Sequence, residues 1–194
     1  NGTQVLGEDG YPIVNGTETT TNFNDASDYI IGDVLPDVYG GFGTSVSWKG
    51  FDFSADFTYQ IGGKVYDGTY AGLMSLDKGY GIHEDMLNAW SPENTGSDIP
   101  RMVYNDSYMA SSSDRFLTDA SYLSLQNVTL GYTLPKSITM KFGVDKLRLY
   151  VVGDNLWVWA KRKGLDPRQS ITGSASSALY SSIRTISGGI SVTF

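Results

Sequence analysis

Phe51-Asp52-Phe53-Ser54-Ala55-Asp56-Phe57-Thr58-Tyr59-Gln60-Ile61 is the stretch on which the fold turns. Phe51, Phe53, Ala55, Phe57, Tyr59 and Ile61 take every second position, and Asp52, Ser54, Asp56, Thr58 and Gln60 fill the gaps. Successive side chains of a strand point to opposite faces, so this segment predicts a strand with one wholly apolar and one wholly polar face. At roughly 3.3 Å per residue and a tilt near 45°, the segment rises about 25 Å, the height of the apolar band of an outer-membrane barrel. The same alternation also suits a soluble antiparallel sandwich, and one strand does not separate the two.

The flanking sequence does. Upstream, Phe42, Thr44, Val46 and Trp48 alternate with Gly43, Ser45 and Ser47, and Lys49-Gly50 is a connection of hairpin length. Downstream, Val128, Leu130, Tyr132 and Leu134 alternate with Asn127, Thr129, Gly131 and Thr133, while Leu123 and Leu125 sit in the opposite phase, which predicts a bulge near Gln126. Leu147, Leu149 and Val151 alternate with Arg148, Tyr150 and Val152 on a segment that continues through Asp154 toward Trp159, and Ile190, Val192 and Phe194 share a face at the end of the chain. Five strands are therefore expected, at about 41–48, 51–61, 122–134, 147–158 and 185–194. Their connections are in turn a long polar segment (1–37), two residues, a long segment (62–120), about twelve residues, and another long segment (159–183). Long and short alternate. A bacterial outer-membrane barrel has long extracellular loops and short periplasmic turns, whereas a soluble sandwich has no physical reason to segregate them. Since about eight strands are needed to close a ring, five belong to a larger all-β transmembrane barrel.

Composition narrows the function. The chain carries a net charge of −7, and its longest basic run is Lys161-Arg162-Lys163, so the footprint of a nucleic-acid binder is missing. There is no cysteine for disulfides, thiolate metal sites or nucleophiles, and no apolar run long enough for a transmembrane helix. The chain opens at Asn1 without a signal segment, as a mature, processed or fragmentary chain does. Its one histidine, His83, stands beside Glu84 and Asp85 on a short helical pattern, with no partner at a ligand spacing. No catalytic residue, metal or cofactor is expected. Asp52, Asp56, Arg148 and Asp154 fall on the polar faces and are expected to line a lumen, where charge tunes passage. The loop aromatics Tyr66, Tyr70, Tyr80, Trp90, Tyr104, Tyr108 and Tyr180 present flat rings that either stack on sugars or pack the loops together.

Several ordered segments resemble the C-terminal region of SusC/RagA TonB-dependent transporters: Gly40 to Thr44 running on through Trp48 to Ser54, His83 to Asn94 with Asp98-Ile99-Pro100-Arg101, Tyr122 to Pro135, and Leu147 to Leu156. The resemblance covers the chain from about Tyr29 onward. It implies a 22-stranded barrel in a Bacteroidetes-type outer membrane, a plug and TonB box upstream of this chain, energy from the TonB complex, and a SusD-like lipoprotein lid, with a glycan or an oligopeptide as cargo. The loop from Gly62 to Ala120 carries in Tyr66, Tyr70, Tyr104 and Tyr108 more aromatic surface than a solvated tether needs, so these are expected to touch lid or substrate. The last residues, with Ser187, Gly189, Val192 and Phe194, resemble the barrel-insertion signal of outer-membrane proteins. A siderophore-type importer, a passive porin and a secreted carbohydrate-binding β-sandwich are the other readings of the same strands.

The register is testable directly. Replacing Phe57 by Arg in the full-length protein is expected to cost about 2–4 kcal/mol if it lies near the bilayer midplane. Single cysteines at Asp52, Ser54 and Asp56 should label with a water-soluble thiol reagent while those at Phe53 and Ala55 do not; no alternation in labelling would refute the register.

Overall fold

The computed structural model describes residues 13–14, 17–20, 23–76, 81–104, 106, 108–169, 173–175 and 180–194. A short ladder, β1 (Ile13–Val14) with β2 (Thr17–Glu18), precedes the hairpin of β3 (Val38–Trp48) and β4 (Phe51–Ile61). The segment after β4 holds β5 (Lys64–Asp67), helix α1 (Gly68–Leu73), a 3-10 turn at Glu84–Asn88 and β6 (Leu117–Asp119). Then come β7 (Tyr122–Thr133), helix α2 (Lys136–Thr139), β8 (Lys146–Ala160), β9 (Ser174–Ala175) and β10 (Thr185–Thr193). Strands β3, β4, β7, β8 and β10 form one antiparallel wall in the order β10-β8-β7-β4-β3.

The hairpin closes through Lys49 and Gly50, both at positive φ (47° and 91°), the backbone of the mirror-image turn that matches strand twist. A side chain at Gly50 would also meet the Thr133 carbonyl oxygen at 2.7 Å. Across the wall the register sorts side chains by parity. Val46, Phe53, Leu130 and Val151 form one row, and Trp48, Phe51, Tyr132, Leu149 and Ile190 another. Between them runs Ser47, Asp52, Gly131, Tyr150 and Gly189 on the opposite face.

The phase break in β7 has its structural answer at Gln126. Phe57 pairs with Leu125 while Asp56 pairs with Asn127, so Gln126 is an extra residue in the ladder. One added residue flips parity, and Leu123 and Leu125 join the face of Phe57 and Tyr59. On the other side β8 also departs from regular pairing, with Asn155 at φ 51° between Asp154 and Trp157. The Gln126 amide donates to Thr58 Oγ1 at 3.3 Å on the polar face.

The wall is inside-out relative to a soluble sheet. Among the described residues of its five strands only Ala55 is a buried apolar side chain, while Val46, Leu130, Val151 and Ile190 are 58%, 52%, 50% and 66% exposed. Aromatic rings band this face at both ends: Trp48, Phe51 and Tyr132 near the short connections, Tyr59, Trp157 and Trp159 near the long ones. Two such girdles are how a barrel meets the two membrane interfaces.

The buried apolar residues lie mostly in the long segments. Ala71, Met74, Met86, Met109 and Phe116 pack together with Tyr66, Tyr70, Leu76 and Ile99, and a second cluster joins Val65, Ala120 and Leu165. Where the sequence pattern shows no alternation after Ile61, the structure has a three-strand sheet, β6-β5-β9, with β5 and β9 parallel. Strands of two to four residues are too short to register as a period-2 pattern. The helical pattern at His83–Trp90 is a 3-10 turn over Glu84–Asn88, capped by His83 Nδ1, which accepts from the Asp85 N–H at 3.1 Å.

Gly131 offers a check on the wall. A Cβ there would stand 2.5 Å from both Asp52 carboxylate oxygens and 2.6 Å from Arg148 Nη2, because the two side chains meet over its bare backbone. Gly131→Ala should therefore lower the urea midpoint of the full-length protein in lipid, and should add little once Asp52→Ala has already removed the carboxylate that the new methyl group would meet. Fully additive losses would show that the pair does not need the glycine.

Candidate functional site

Two polar arrangements stand out, one on the wall and one in the long segments above it. On the wall, Asp52 of β4 and Arg148 of β8 form a two-pronged ion pair across β7, with Nε to Oδ1 at 3.0 Å and Nη2 on Oδ2. The Arg148 guanidinium also stacks on Tyr150, 5.1 Å from the ring centroid, and the Tyr150 hydroxyl lies over Gly189. Two rows further from the short connections, beyond Ser54, Thr129 and Val152, Asp56, Asn127 and Asp154 stand side by side on three strands. Asn127 Nδ2 donates to Asp154 Oδ1 at 2.7 Å, and Thr129 Oγ1 donates to Asn127 Oδ1 at 3.2 Å. The Asp52 charge is compensated by Arg148, whereas Asp56 and Asp154 flank a neutral amide. The polar face thus carries an electronegative row.

Above the wall, the segments after β4 and β8 are joined. Asp67 caps α1 by accepting from the Tyr70 N–H at 2.9 Å, and its other oxygen faces Arg162 Nε at 3.5 Å. The Arg162 guanidinium lies 4.0 Å from the Tyr70 ring centroid, a close cation–π contact. The Tyr70 hydroxyl donates to Asp85 Oδ2 at 2.7 Å, and its ring meets His83 edge-on with centroids 4.8 Å apart. Burial, then the Asp85 carboxylate, push the Tyr70 hydroxyl above its ordinary range. These groups line a cavity of about 600 Å³ between the two segments.

The second segment is tied to the wall itself. Arg168 grips Asp166 with two bonds, Nε to Oδ1 at 2.8 Å and Nη2 to Oδ2 at 2.7 Å, and its Nη1 donates to Ser124 Oγ at 2.7 Å. Ser124 is wholly buried on the polar face of β7 and itself donates to the Trp157 carbonyl at 3.3 Å. Burial alone would raise the Asp166 carboxyl, but the Arg168 hydrogen bonds and charge outweigh it and hold it below the usual carboxylate range. Near the base of the other segment, the Ser121 hydroxyl and N–H hold Asp119 low as well.

The residues singled out in the sequence are distributed over these arrangements. Asp52, Asp56, Arg148 and Asp154 come together on one face of the wall. Tyr66 and Tyr70 are half-buried against Phe116, while Tyr104 and Tyr108 are 66% and 50% exposed; Tyr80 lies outside the described residues. Ser187 and Gly189 sit on the polar face opposite Val152 and Tyr150, Val192 on the apolar face opposite Leu147, and Phe194 is 91% exposed beyond β10. Sequence reasoning missed Asp67, Arg162, Asp166, Arg168 and Ser124. The Asp-Pro-Arg spacing of Asp166 and Arg168 was the one local signal available, since it suits an Asx turn; the Arg168 N–H indeed donates to Asp166 Oδ1 at 3.1 Å. Among the described residues no three His, Asp or Glu side chains are placed to hold a metal ion.

A sheet that sorts apolar from polar side chains by parity, exposes the apolar face between two aromatic girdles and alternates long with short connections is a segment of a transmembrane outer-membrane β-barrel. The chain is 34% identical over 176 residues to the TonB-dependent receptor P3 of Formosa agariphila, an alignment covering 85% of this chain and 17% of that protein. It is 30% identical over 170 residues to the TonB-dependent receptor SusC of Bacteroides thetaiotaomicron, covering 84% and 16%. The solved RagAB peptide importer in its open-open state superposes with a TM-score of 0.75 at 27% identity, over 98% of this chain and 20% of that one. No protein-family model matches. The chain belongs with the TonB-dependent receptors of the SusC/RagA type, and it spans about a fifth or less of the length of these relatives.

The tie at Asp166 has a pH signature. A carboxyl held low in the folded state contributes stability that is present above its unfolded pKa, about 4, and is lost as pH falls through the lower folded value. Amide exchange over 163–169, corrected for intrinsic rates, should stay slow from pH 7 to about 4 and quicken below that. Asp166→Asn should quicken it from pH 7 to about 4 and converge with the wild type at lower pH, where the wild-type carboxyl is itself protonated; an unchanged profile would show that the pair does not hold the segment.

Proposed function

We propose that this chain is a wall segment, with its extracellular loops, of a TonB-dependent importer in the cell outer membrane, which takes up a glycan or an oligopeptide together with a SusD-like surface lipoprotein. The observation that carries it is the match to TonB-dependent receptors along most of the chain, on a sheet whose apolar face lies exposed between aromatic girdles. In this reading the apolar face meets outer-membrane lipid and the polar face, with Asp52, Asp56, Arg148 and Asp154, lines the lumen. The TonB complex acts through a part of the protein outside this chain, and none of these residues performs catalysis. The segments 1–37, 62–120 and 159–183 are extracellular, and the connections at Lys49-Gly50 and Leu134 to Asp145 are periplasmic.

The loop after β4 is a folded body with its own core, and it returns to its start: the Ala120 N–H donates to the Gly63 carbonyl at 3.0 Å. Tyr66 and Tyr70 brace that body, while exposed Leu87, Met102, Tyr104 and Tyr108 are the surface it offers to the lipoprotein lid.

Because Gly63 and Ala120 already meet, residues 64–119 can be replaced by a short Gly-Ser linker without pulling on the wall. The replacement should leave barrel abundance unchanged, reduce co-purification of the lipoprotein, and slow TonB-dependent uptake of the cognate nutrient. Full lipoprotein recovery and full uptake would show that the loop is a spacer.

A further inference from the structure

The chain is acidic overall, yet five of its fourteen Lys and Arg residues fall between Lys161 and Arg184. From Asn155 to the end of the sequence only one carboxylate side chain, Asp166, stands against them, and Arg168 neutralises it with two hydrogen bonds. Their position matters more than their number. Trp157 and Trp159 form the upper girdle on the apolar face of β8, 48% and 56% exposed. Lys161 is the next alternate residue after them, just past the end of β8, and Arg184 stands two residues before Ile186 of the same face on neighbouring β10.

Both tryptophans, Lys161, Lys163 and Arg184 line one cavity of about 630 Å³. Arg162 and Arg168 line it too but are committed to Asp67 and Asp166. Asp119, whose charge lies within reach of Lys161, is hydrogen-bonded to the Ser121 N–H and hydroxyl. Lys161, Lys163 and Arg184 are exposed and offer their charge outward.

We propose that this cavity binds the phosphate of a phosphorylated glycolipid in the outer leaflet, a lipid A type headgroup. The inference rests on the outer-membrane reading above. Girdle tryptophans mark the boundary between acyl chains and headgroups, so cations one alternate position beyond them sit at headgroup depth. A phosphate monoester there meets two lysine point charges and one guanidinium fork, and basic pockets at membrane interfaces take anionic headgroups for this reason. The indoles cover the acyl end of the same molecule.

The test uses the full-length transporter, purified in mild detergent and incubated with diphosphorylated lipid A, with the same lipid A stripped of its phosphates, or with the phosphorylated form plus excess inorganic phosphate; bound lipid is counted by native mass spectrometry. The wild type should retain the phosphorylated form alone and keep it against inorganic phosphate. Lys161→Gln/Lys163→Gln/Arg184→Gln should reduce retention about ten-fold or more, since each cation contributes separately. Lys49→Gln/Lys141→Gln, at the opposite end of the wall, should not reduce it. If the triple variant assembles poorly, Arg184→Gln alone should give a partial loss. Unchanged retention in the variants, equal retention of the stripped lipid, or displacement by inorganic phosphate would overturn the proposal. Outer-membrane fractionation and TonB-dependent uptake of the wild type are read alongside: their failure would sink the importer reading, while normal uptake with variant-insensitive lipid binding would sink only this site.

Discussion

In a hydrocarbon layer no water satisfies backbone N–H and C=O groups, so each spanning strand must spend them sideways on its neighbours. That constraint sets the rest of this wall. With the backbone fixed in antiparallel ladders, side chains can only alternate, and parity alone decides whether a residue meets lipid or the polar side. The bulge at Gln126 follows from it. Leu123 and Leu125 sit in the wrong phase for Val128 and Leu130, and one unpaired residue returns them to the face of Phe57 and Tyr59 at the cost of one local break in the ladder. A polar residue is the right one to leave unpaired, since Gln126 reaches Thr58 on the wet face.

Two different stabilisation schemes meet in one chain. The wall holds little apolar burial of its own, and its exposed apolar face takes its stability from surroundings that are themselves apolar. The segment between β4 and β7 behaves as a soluble miniature, burying Met74, Met86 and Phe116 in a core that excludes water. The join between the schemes is polar and sits at the rim. Arg168 reaches from the last long segment down to Ser124, and Arg162 reaches from it across to Asp67 and Tyr70. A loop body fastened at both places has little freedom to swing independently of the wall.

The five wall strands were legible because each runs long enough for period 2 to declare itself, and the bulge was legible as a phase conflict at one residue. The polar-face carboxylates were legible for the same reason, since Asp52, Asp56 and Asp154 inherit their side from parity. The loop architecture was not. Strands such as Lys64–Asp67 and Ser174–Ala175 pair parallel across more than a hundred residues of sequence, and no local pattern encodes a partner that distant. Tyr70 shows the same limit: its ring could be read either as a stacking surface or as loop packing, and which of the two it is depends on Arg162, ninety-two residues further along. The side-chain types were visible; their meeting points were properties of the tertiary fold.

Parity also explains why the polar face is rich in glycine at particular places. Gly43 leaves the room that the Asp56 carboxylate occupies, Gly131 the room where Asp52 meets Arg148, and Gly189 the room beneath the Tyr150 hydroxyl. In each case a long polar side chain lies down along the wall over a neighbour that has no Cβ. Were those neighbours larger, Asp56, Arg148 and Tyr150 would have to stand away from the sheet. Side chains that lie flat over bare backbone satisfy each other's charge and hydrogen bonds close to the sheet, so the glycine pattern lets the polar face carry Asp52, Arg148 and Tyr150 without any of them standing away from the wall.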